Sequence, residues 1–394
     1  MRLSQRARAV EPFHAMAFGQ QAAELRSLGH DVVALSLGEP DFGAPPAVRE
    51  AMRDVMDGRP LGYTAAMGLP ELRTAIAGFY RDRHDVTVDP ARIVVTSGAS
   101  AALLLILAAT TQPGDDVLMA DPSYPCNRQL VRTFGGRVVP VPTTIASRYQ
   151  LSDSSVEQAW TQQTSAVMLA SPSNPTGTSI PHQELVAICG RAQAAGAWRI
   201  ADEIYLDLSD PAPDGSAART VLHGDPDAIV INSFSKYFGM TGWRLGWAVI
   251  PEVLVGAVER LAMNYFLCAS TPAQYAALAA FSPQSLQVCE QRREELRARR
   301  EIVLAGLADL GLPVPVVPDG AFYVYLDVTS TGMTSWQFCE QALHEAHVAL
   351  TPGNDFGLAT ADTHVRLSYA ATRDDLREGL ARLAAHLHMT CVEE

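Results

Sequence analysis

Cysteine is scarce in this chain and forms no pattern. Six occur in 394 residues, at positions 126, 189, 268, 289, 339 and 391, with no CxxC pair and no zinc-type spacing. Neither a disulfide framework nor a metal site is expected, and the thiols read as reduced residues of a cytoplasmic protein. Long hydrophobic runs are also missing. The longest, residues 101–109, is too short to cross a bilayer. The opening Met-Arg-Leu-Ser-Gln-Arg-Ala-Arg carries charge with no apolar stretch behind it, so no secretory signal is expected. Positive charge is in deficit. A net charge of −13 argues against a nucleic-acid partner, whose phosphates demand a basic face, and gives no hold on an anionic membrane. Repeats and low-complexity stretches are absent.

What is present is a globular composition, 48% apolar and 19% charged, over a length that suits one large domain and one smaller. Short apolar runs at 93–96, 117–120, 138–141, 166–170, 200–201, 229–231 and 247–250 alternate with helical stretches or polar turns. Runs of that kind suit strands buried on both faces of a mostly parallel sheet, which makes the chain α/β. Helices are expected over 13–29, 45–57, 68–83, 99–111 and 125–133, and a strand over 32–37. Residues 285–310 read as a long charged helix with Leu296, Val303, Leu304 and Leu307 as its apolar stripe. Beyond it come a strand over 321–326, a helix over 334–346, a strand over 364–369 and a last helix over 373–388. The expected organisation is an N-terminal segment, 1–43, belonging to the small domain, a large domain, 44–284, and a C-terminal small domain, 285–394.

The most informative run is Asn232-Ser-Phe-Ser-Lys-Tyr-Phe-Gly-Met-Thr-Gly-Trp-Arg244. Lys236 is its only lysine, set among hydroxyls, glycines and aromatics, with Arg244 downstream. An amine near apolar and cationic groups is pushed toward its neutral, nucleophilic form, and a neutral amine makes imines with aldehydes. A Schiff-base lysine with a phosphate clamp beside it points to pyridoxal 5′-phosphate, although a lone lysine in a loop after a strand reads equally as a surface residue. Other runs are likewise double-valued on their own. Asn174-Pro-Thr-Gly177 is a good turn in any protein, and Asp202 could be an acid welcomed at a helix start. Ser97-Gly98-Ala99-Ser100 could be any small-residue helix start. Arg366 lies in the apolar strand at 364–369, where a cation is costly unless an anion pairs with it.

Taken in order and spacing, these runs resemble the class I/II family of fold-type I pyridoxal-phosphate-dependent aminotransferases, over nearly the whole chain. The resemblance implies a large domain with a mixed, mostly parallel seven-stranded sheet between helices, and a smaller α+β domain. It implies that Lys236 forms the imine and moves the proton, and that Asp202 pairs with the pyridine nitrogen. Tyr205 and Asn174 are implied at the phenolic oxygen, and Tyr124 stacked on the ring. Gly98, Ala99, Ser100, Ser233, Ser235 and Arg244 form the implied phosphate cradle. Arg366, Asn174 and Gly38 are implied at the substrate carboxylate. Tyr63 is implied to reach the phosphate of the other subunit of a homodimer with shared sites. Where many relatives carry an aromatic three residues after Tyr124, this chain has Asn127, which leaves that neighbouring contact open.

The implied activity is ping-pong transfer of an amino group from an L-amino acid to a 2-oxo acid. Ser100 stands where aspartate-preferring relatives often hold a lysine, and the segment Phe13-His-Ala-Met-Ala-Phe18 is apolar. Asn264-Tyr-Phe266 adds aromatics near the expected pocket rim. The donor is therefore expected to be neutral or aromatic, with 2-oxoglutarate or pyruvate as acceptor. A carbon–sulfur β-lyase and an aspartate aminotransferase are the alternatives. A ligand-sensing regulator with a DNA-reading module is disfavoured by the acidic charge and by how early in the chain the resemblance begins.

Overall fold

The computed structural model describes residues 2–11, 14–212 and 215–390. Strand β1 (Val33–Ala34) is a two-residue remnant of the longer strand expected over 32–37. The large sheet follows: β2 (Ile93–Thr96), β3 (Asp116–Asp121), β4 (Arg137–Pro142), β5 (Thr164–Ala170), β6 (Trp198–Asp202), β7 (Ile229–Ser233) and β8 (Gly246–Val249). Its seven strands run in the order β2-β8-β7-β6-β5-β3-β4. All are parallel except β8, which pairs antiparallel with both β2 and β7. The α/β expectation, with a mixed and mostly parallel sheet, is what forms.

Alternation explains why these strands read as unbroken apolar runs. Ile93 and Val95 join one core, while Val94 joins the other. Val167 and Leu169 likewise face away from Ala166 and Met168, and Val230 away from Ile229 and Ile231. A strand whose two faces are both covered by helices has no polar side to show. Helix Ala99–Thr110 and helix Glu252–Tyr265 cover one face; the second of these was not expected from the sequence.

The C-terminal part holds β9 (Tyr323–Asp327), β10 (Val348–Ala349), β11 (Thr351–Pro352) and β12 (His364–Ser368). β11, β12 and β9 make a three-stranded antiparallel sheet, and β10 pairs in parallel with the N-terminal β1. Helix Pro283–Asp309 runs between the two parts. It buries Leu296, Val303 and Leu307 as expected, but also Arg299 and Arg300. Asp41 and Glu295 pair with Arg299, and Asp210 with Arg300. Two cations inside one helix are tolerable because carboxylates meet them, Glu295 from the preceding turn and Asp41 and Asp210 from distant elements. The first long helix spans His14–Ser27, and Phe13 lies outside the described residues.

Candidate active site

The site gathers at the carboxyl ends of the parallel strands, where loops from several strands converge. β8 organises one side of it. Because β8 returns antiparallel, its Gly246 lies between Ser233 of β7 and Thr96 of β2. A Cβ on Gly246 would come within 2.9 Å of the Ala99 amide nitrogen and the Asn232 carbonyl, so only glycine lets the helix start sit this close. Gly98 caps that helix with φ +83°, and the amides of Ala99 and Ser100 open it. Arg244, itself at φ +53°, brings its guanidinium against Gly98: a Cβ there would be 2.5 Å from Nη2. Its Nη1 donates to the carbonyl of Thr241 at 3.0 Å. The Ser233 hydroxyl donates to Ser235 Oγ at 2.9 Å, and Ser233 Oγ accepts from the Ser235 amide. Two hydroxyls, helix-start amides and a guanidinium are a donor set made for a phosphate.

Lys236 lies across from this cradle. Its Nζ donates to the carbonyl of Gly38 at 2.6 Å, a contact across 198 residues. The rings of Tyr205 and Phe322 each lie 5.9 Å from Nζ. Burial brings the amine down to about 8; Glu39 and Asp202 oppose the shift, and Arg366 and Arg244 add to it. Asp202, the last residue of β6, is pushed up to about 6 by burial, against the Ile204 amide, the Asn127 side chain and Lys236. A buried carboxylate held this far from full ionisation favours a cation beside it. Tyr205 shares a 2.9 Å hydroxyl–hydroxyl hydrogen bond with Tyr323, and burial first, then the Tyr323 hydroxyl, pushes its phenol well up.

Arg366 sits in the middle of β12 and is 2% exposed. Nη1 donates to Asn174 Oδ1 at 2.9 Å, and Nη2 to the Ser36 carbonyl at 2.7 Å and Thr351 Oγ1 at 3.2 Å. Its Nε is buried with no partner. The guanidinium lies against the rings of Tyr323 and Phe356, at 4.6 and 5.0 Å from their centroids. A buried cation met only by neutral oxygens, with one N–H left over, is poised for an anion.

The structure therefore brings Lys236, Asp202, Tyr205, Asn174, Arg366 and Gly38 into one cluster, and Gly98, Ala99, Ser100, Ser233, Ser235 and Arg244 into the donor cradle beside it. Tyr124 caps the helix Pro125–Thr133, and its phenol is raised by burial, with Cys126, Tyr323 and Arg366 acting on it. Tyr63 is different: it is 82% exposed and points away from this chain's own core. Sequence reading left the role of Asn127 open and missed three participants, Tyr323, Ser36 and Thr351. Asn127 is 2% exposed, and its side chain acts to lower the Asp202 carboxyl against the effect of burial. Tyr323, Ser36 and Thr351 reach the site from elements far along the chain, and only Tyr323, an aromatic inside an apolar strand, gave any signal.

These residues fit pyridoxal phosphate: an amine for its aldehyde, an acid for its ring nitrogen, hydroxyl and amide donors for its oxygen, and a cationic cradle for its phosphate. The orphan Nε of Arg366 and the close seat of Arg244 on Gly98 are the observations that decide the fit. Among the described residues no cluster of histidine, cysteine, aspartate or glutamate could hold a metal ion, and no helix is long and apolar enough to cross a membrane.

The family model for Aminotransferase class I and II matches residues 30–383. A valine–pyruvate aminotransferase from Mycobacterium tuberculosis is 39% identical over 379 residues, which cover 96% of this chain and 97% of that protein. An aspartate/prephenate aminotransferase from Thermus thermophilus is 36% identical, covering 97% of this chain and 98% of its own. The crystal structure of an aminotransferase from Mycobacterium tuberculosis superposes with a TM-score of 0.95 at 38% identity, over 99% of this chain and 100% of its own. Fold, donor set and relatives converge: the chain belongs to the class I and II aminotransferases and is a pyridoxal-phosphate-dependent transaminase of fold type I.

Proposed function

We propose that the enzyme moves the amino group of a neutral or aromatic L-amino acid to 2-oxoglutarate or pyruvate by a ping-pong route. The charge around Lys236 carries this reading. The charged groups that act most strongly on its amine are Glu39, Arg366, Arg244 and Asp202. With Arg244 assigned to the phosphate and Arg366 to the α-carboxylate, neither cation is left for an acidic side chain, and Glu39 would repel one. Ser100, at the helix start, is exposed and uncharged. The relative named for valine and pyruvate supports a neutral donor.

Bound pyridoxal phosphate supplies a carbonyl carbon that takes amines and a ring that withdraws electrons from the amine-bearing carbon. The chain supplies the rest. Lys236 Nζ takes the proton from that carbon and hands it back on the other side of the exchange, as base and then acid. Asp202 holds the ring nitrogen in its protonated form. Tyr205 and Asn174 donate to the ring oxygen, and Tyr124 stacks on the ring. Gly98, Ala99, Ser100, Ser233, Ser235 and Arg244 hold the phosphate. Arg366, with Asn174 and the open backbone at Gly38, fixes the substrate carboxylate and thereby the orientation of the bond to be broken.

The active form is a homodimer, with Tyr63 reaching the partner's phosphate. Leu61, Tyr63, Tyr265, Phe266 and Tyr275 all stand exposed, an apolar set that a second copy would cover. Thr271 Oγ1 bonds the Gly62 carbonyl at 2.9 Å and so fixes the loop that carries Tyr63. Residues 1–43 and 285–394 form one unit around 44–284, in keeping with the β1–β10 pair. The unpaired thiols suit a cytoplasmic enzyme.

An absorbance scan of the holoenzyme with each of the twenty amino acids tests the donor. Bleaching of a band near about 420 nm toward about 330 nm is expected with neutral or aromatic donors. Aspartate far ahead of valine, leucine and phenylalanine would overturn the reading, as would release of ammonia and pyruvate from cystathionine with no acceptor present.

A further inference from the structure

The turn between β11 and β12 supports Arg366 without belonging to its sheet. Thr351 of β11 is the register partner of Arg366, and the chain then leaves the sheet through Gly353–Asp355 and Phe356. Phe356 is fully buried and forms one wall of the Arg366 guanidinium, 5.0 Å from Cζ. The other ring against the guanidinium, Tyr323, is fixed by the ladder that pairs it with Ser368. No ladder holds Phe356.

It is held from the other side of the molecule. Arg128, on the helix Pro125–Thr133, donates from Nη1 to the Phe356 carbonyl at 2.6 Å and from Nη2 to the Asp355 carbonyl at 2.6 Å. Nη1 also reaches the Ser123 carbonyl at 3.3 Å. The Ser123 amide donates to the same Phe356 carbonyl at 2.7 Å. Asp121, the last residue of β3, accepts from the amides of Leu358 at 3.0 Å and Ala359 at 3.4 Å. A Cβ on Gly357 would overlap the Asp121 carboxylate, so glycine is needed for the loop to lie this close. The polarity is matched at each end: a guanidinium, which can only donate, grips carbonyls, and a carboxylate, which can only accept, grips amides. Both grips flank Tyr124, so the wall under the ring and the wall under Arg366 are joined.

We propose that Arg128 and Asp121 are positioning residues for recognition of the substrate α-carboxylate: they hold Phe356 against Arg366 and so set where the guanidinium stands. This rests on the reading that Arg366 takes that carboxylate. Neither residue touches substrate. Displacement of a binding group by about 1 Å costs on the order of 100-fold in rate, so a slackened wall is felt in turnover.

The test compares an amino acid with the primary amine that has the same side chain but no carboxylate. Holoenzyme variants Arg128→Gln, Arg128→Lys, Asp121→Asn and Arg366→Gln are each measured on both, and a non-reacting carboxylic acid, 3-phenylpropanoate, is titrated by calorimetry. Arg128→Gln and Asp121→Asn are expected to raise KM for the amino acid and Kd for the acid by about tenfold or more, while leaving the amine unaffected. Arg128→Lys, which keeps one donor, is expected to recover part of the loss. Equal loss on amino acid and amine would mean that the clasp is only structural, and the proposal fails. No loss in either Arg128→Gln or Asp121→Asn also overturns it. If Arg128→Gln does not fold, Asp121→Asn carries the same expectation. If Arg366→Gln itself shows no carboxylate-specific loss, the assignment of Arg366 falls and takes the clasp with it; loss in Arg366→Gln alone sinks only the clasp.

Discussion

Replacing Gly98 with alanine separates two effects that the structure superimposes at one atom. The first is backbone strain. Gly98 stands at φ +83° and ψ 170°, a region that is almost closed to residues with a Cβ, and the change costs about 1–3 kcal/mol of folding stability. The second is displacement. The new Cβ would stand 2.5 Å from Arg244 Nη2 and 3.1 Å from Cζ. Ordinary contact needs roughly 3.5 Å, so the guanidinium must retreat by about 1 Å. A charge-assisted hydrogen bond is worth about 1.5–3 kcal/mol, so losing its contact with the phosphate should weaken cofactor binding about 10- to 100-fold. Urea unfolding of the apoprotein reads the strain. Equilibrium titration of the apoprotein with pyridoxal phosphate reads the displacement. The double-mutant cycle with Arg244→Ala distinguishes them. In the Arg244→Ala background the alanine at 98 should still cost stability but should no longer cost binding. If the two binding losses simply add, or if Gly98→Ala binds the cofactor like the parent, the guanidinium does not seat against Gly98 and the phosphate cradle is wrong.

Two further outcomes follow from the charges in the site. In the apoprotein, imine formation between Lys236 and an added aldehyde should rise with pH and level off above about 8 rather than near 10.5, because burial and the two arginines favour the neutral amine; a midpoint near 10 refutes this, and Lys236→Ala should abolish both the imine band and turnover. Asn127→Ala removes a donor to ionised Asp202, so its carboxyl should climb above about 6. Because that carboxyl is raised in the folded state, the apoprotein loses stability as pH rises from the unfolded-state pKa through the folded one, and in the variant that loss should begin at the same pH but continue to a higher one. Cofactor binding should weaken at its acidic limb, and an unchanged limb in a pH series of titrations would exclude the Asn127 contact.

Much of the site was legible because its chemistry is local in the chain. Lys236, Ser233, Ser235 and Arg244 lie in one run, and the helix start at Gly98 joins one strand to one helix. In such stretches residue type and backbone preference decide both the turn and its donors. Strand positions were legible for a similar reason, since burial on both faces removes polar residues from the run. The reading failed where partners arrive from afar. Residues 299 and 300 look like solvated charges on a helix, and it is Asp41 and Asp210, from distant elements, that let them sit in the interior. β1 shortened to two residues because its partner is the equally short β10, hundreds of residues later.

The sequence by itself determined the large sheet and the cofactor and singled out Lys236 as the lysine proposed to react, since these follow from alternation, from a resemblance spread along the chain and from a short run. The tertiary structure decided what surrounds them. Tyr323 meets Tyr205 across 118 residues, Lys236 meets Gly38 across 198, and Arg128 meets Phe356 across 228. Nothing local marks such pairs, because a hydrogen bond between distant elements is fixed only once both are packed against the same sheet. The proposed imine lysine, Lys236, is therefore written in thirteen consecutive residues, while its acidity and the seat of Arg366 are properties of the folded protein.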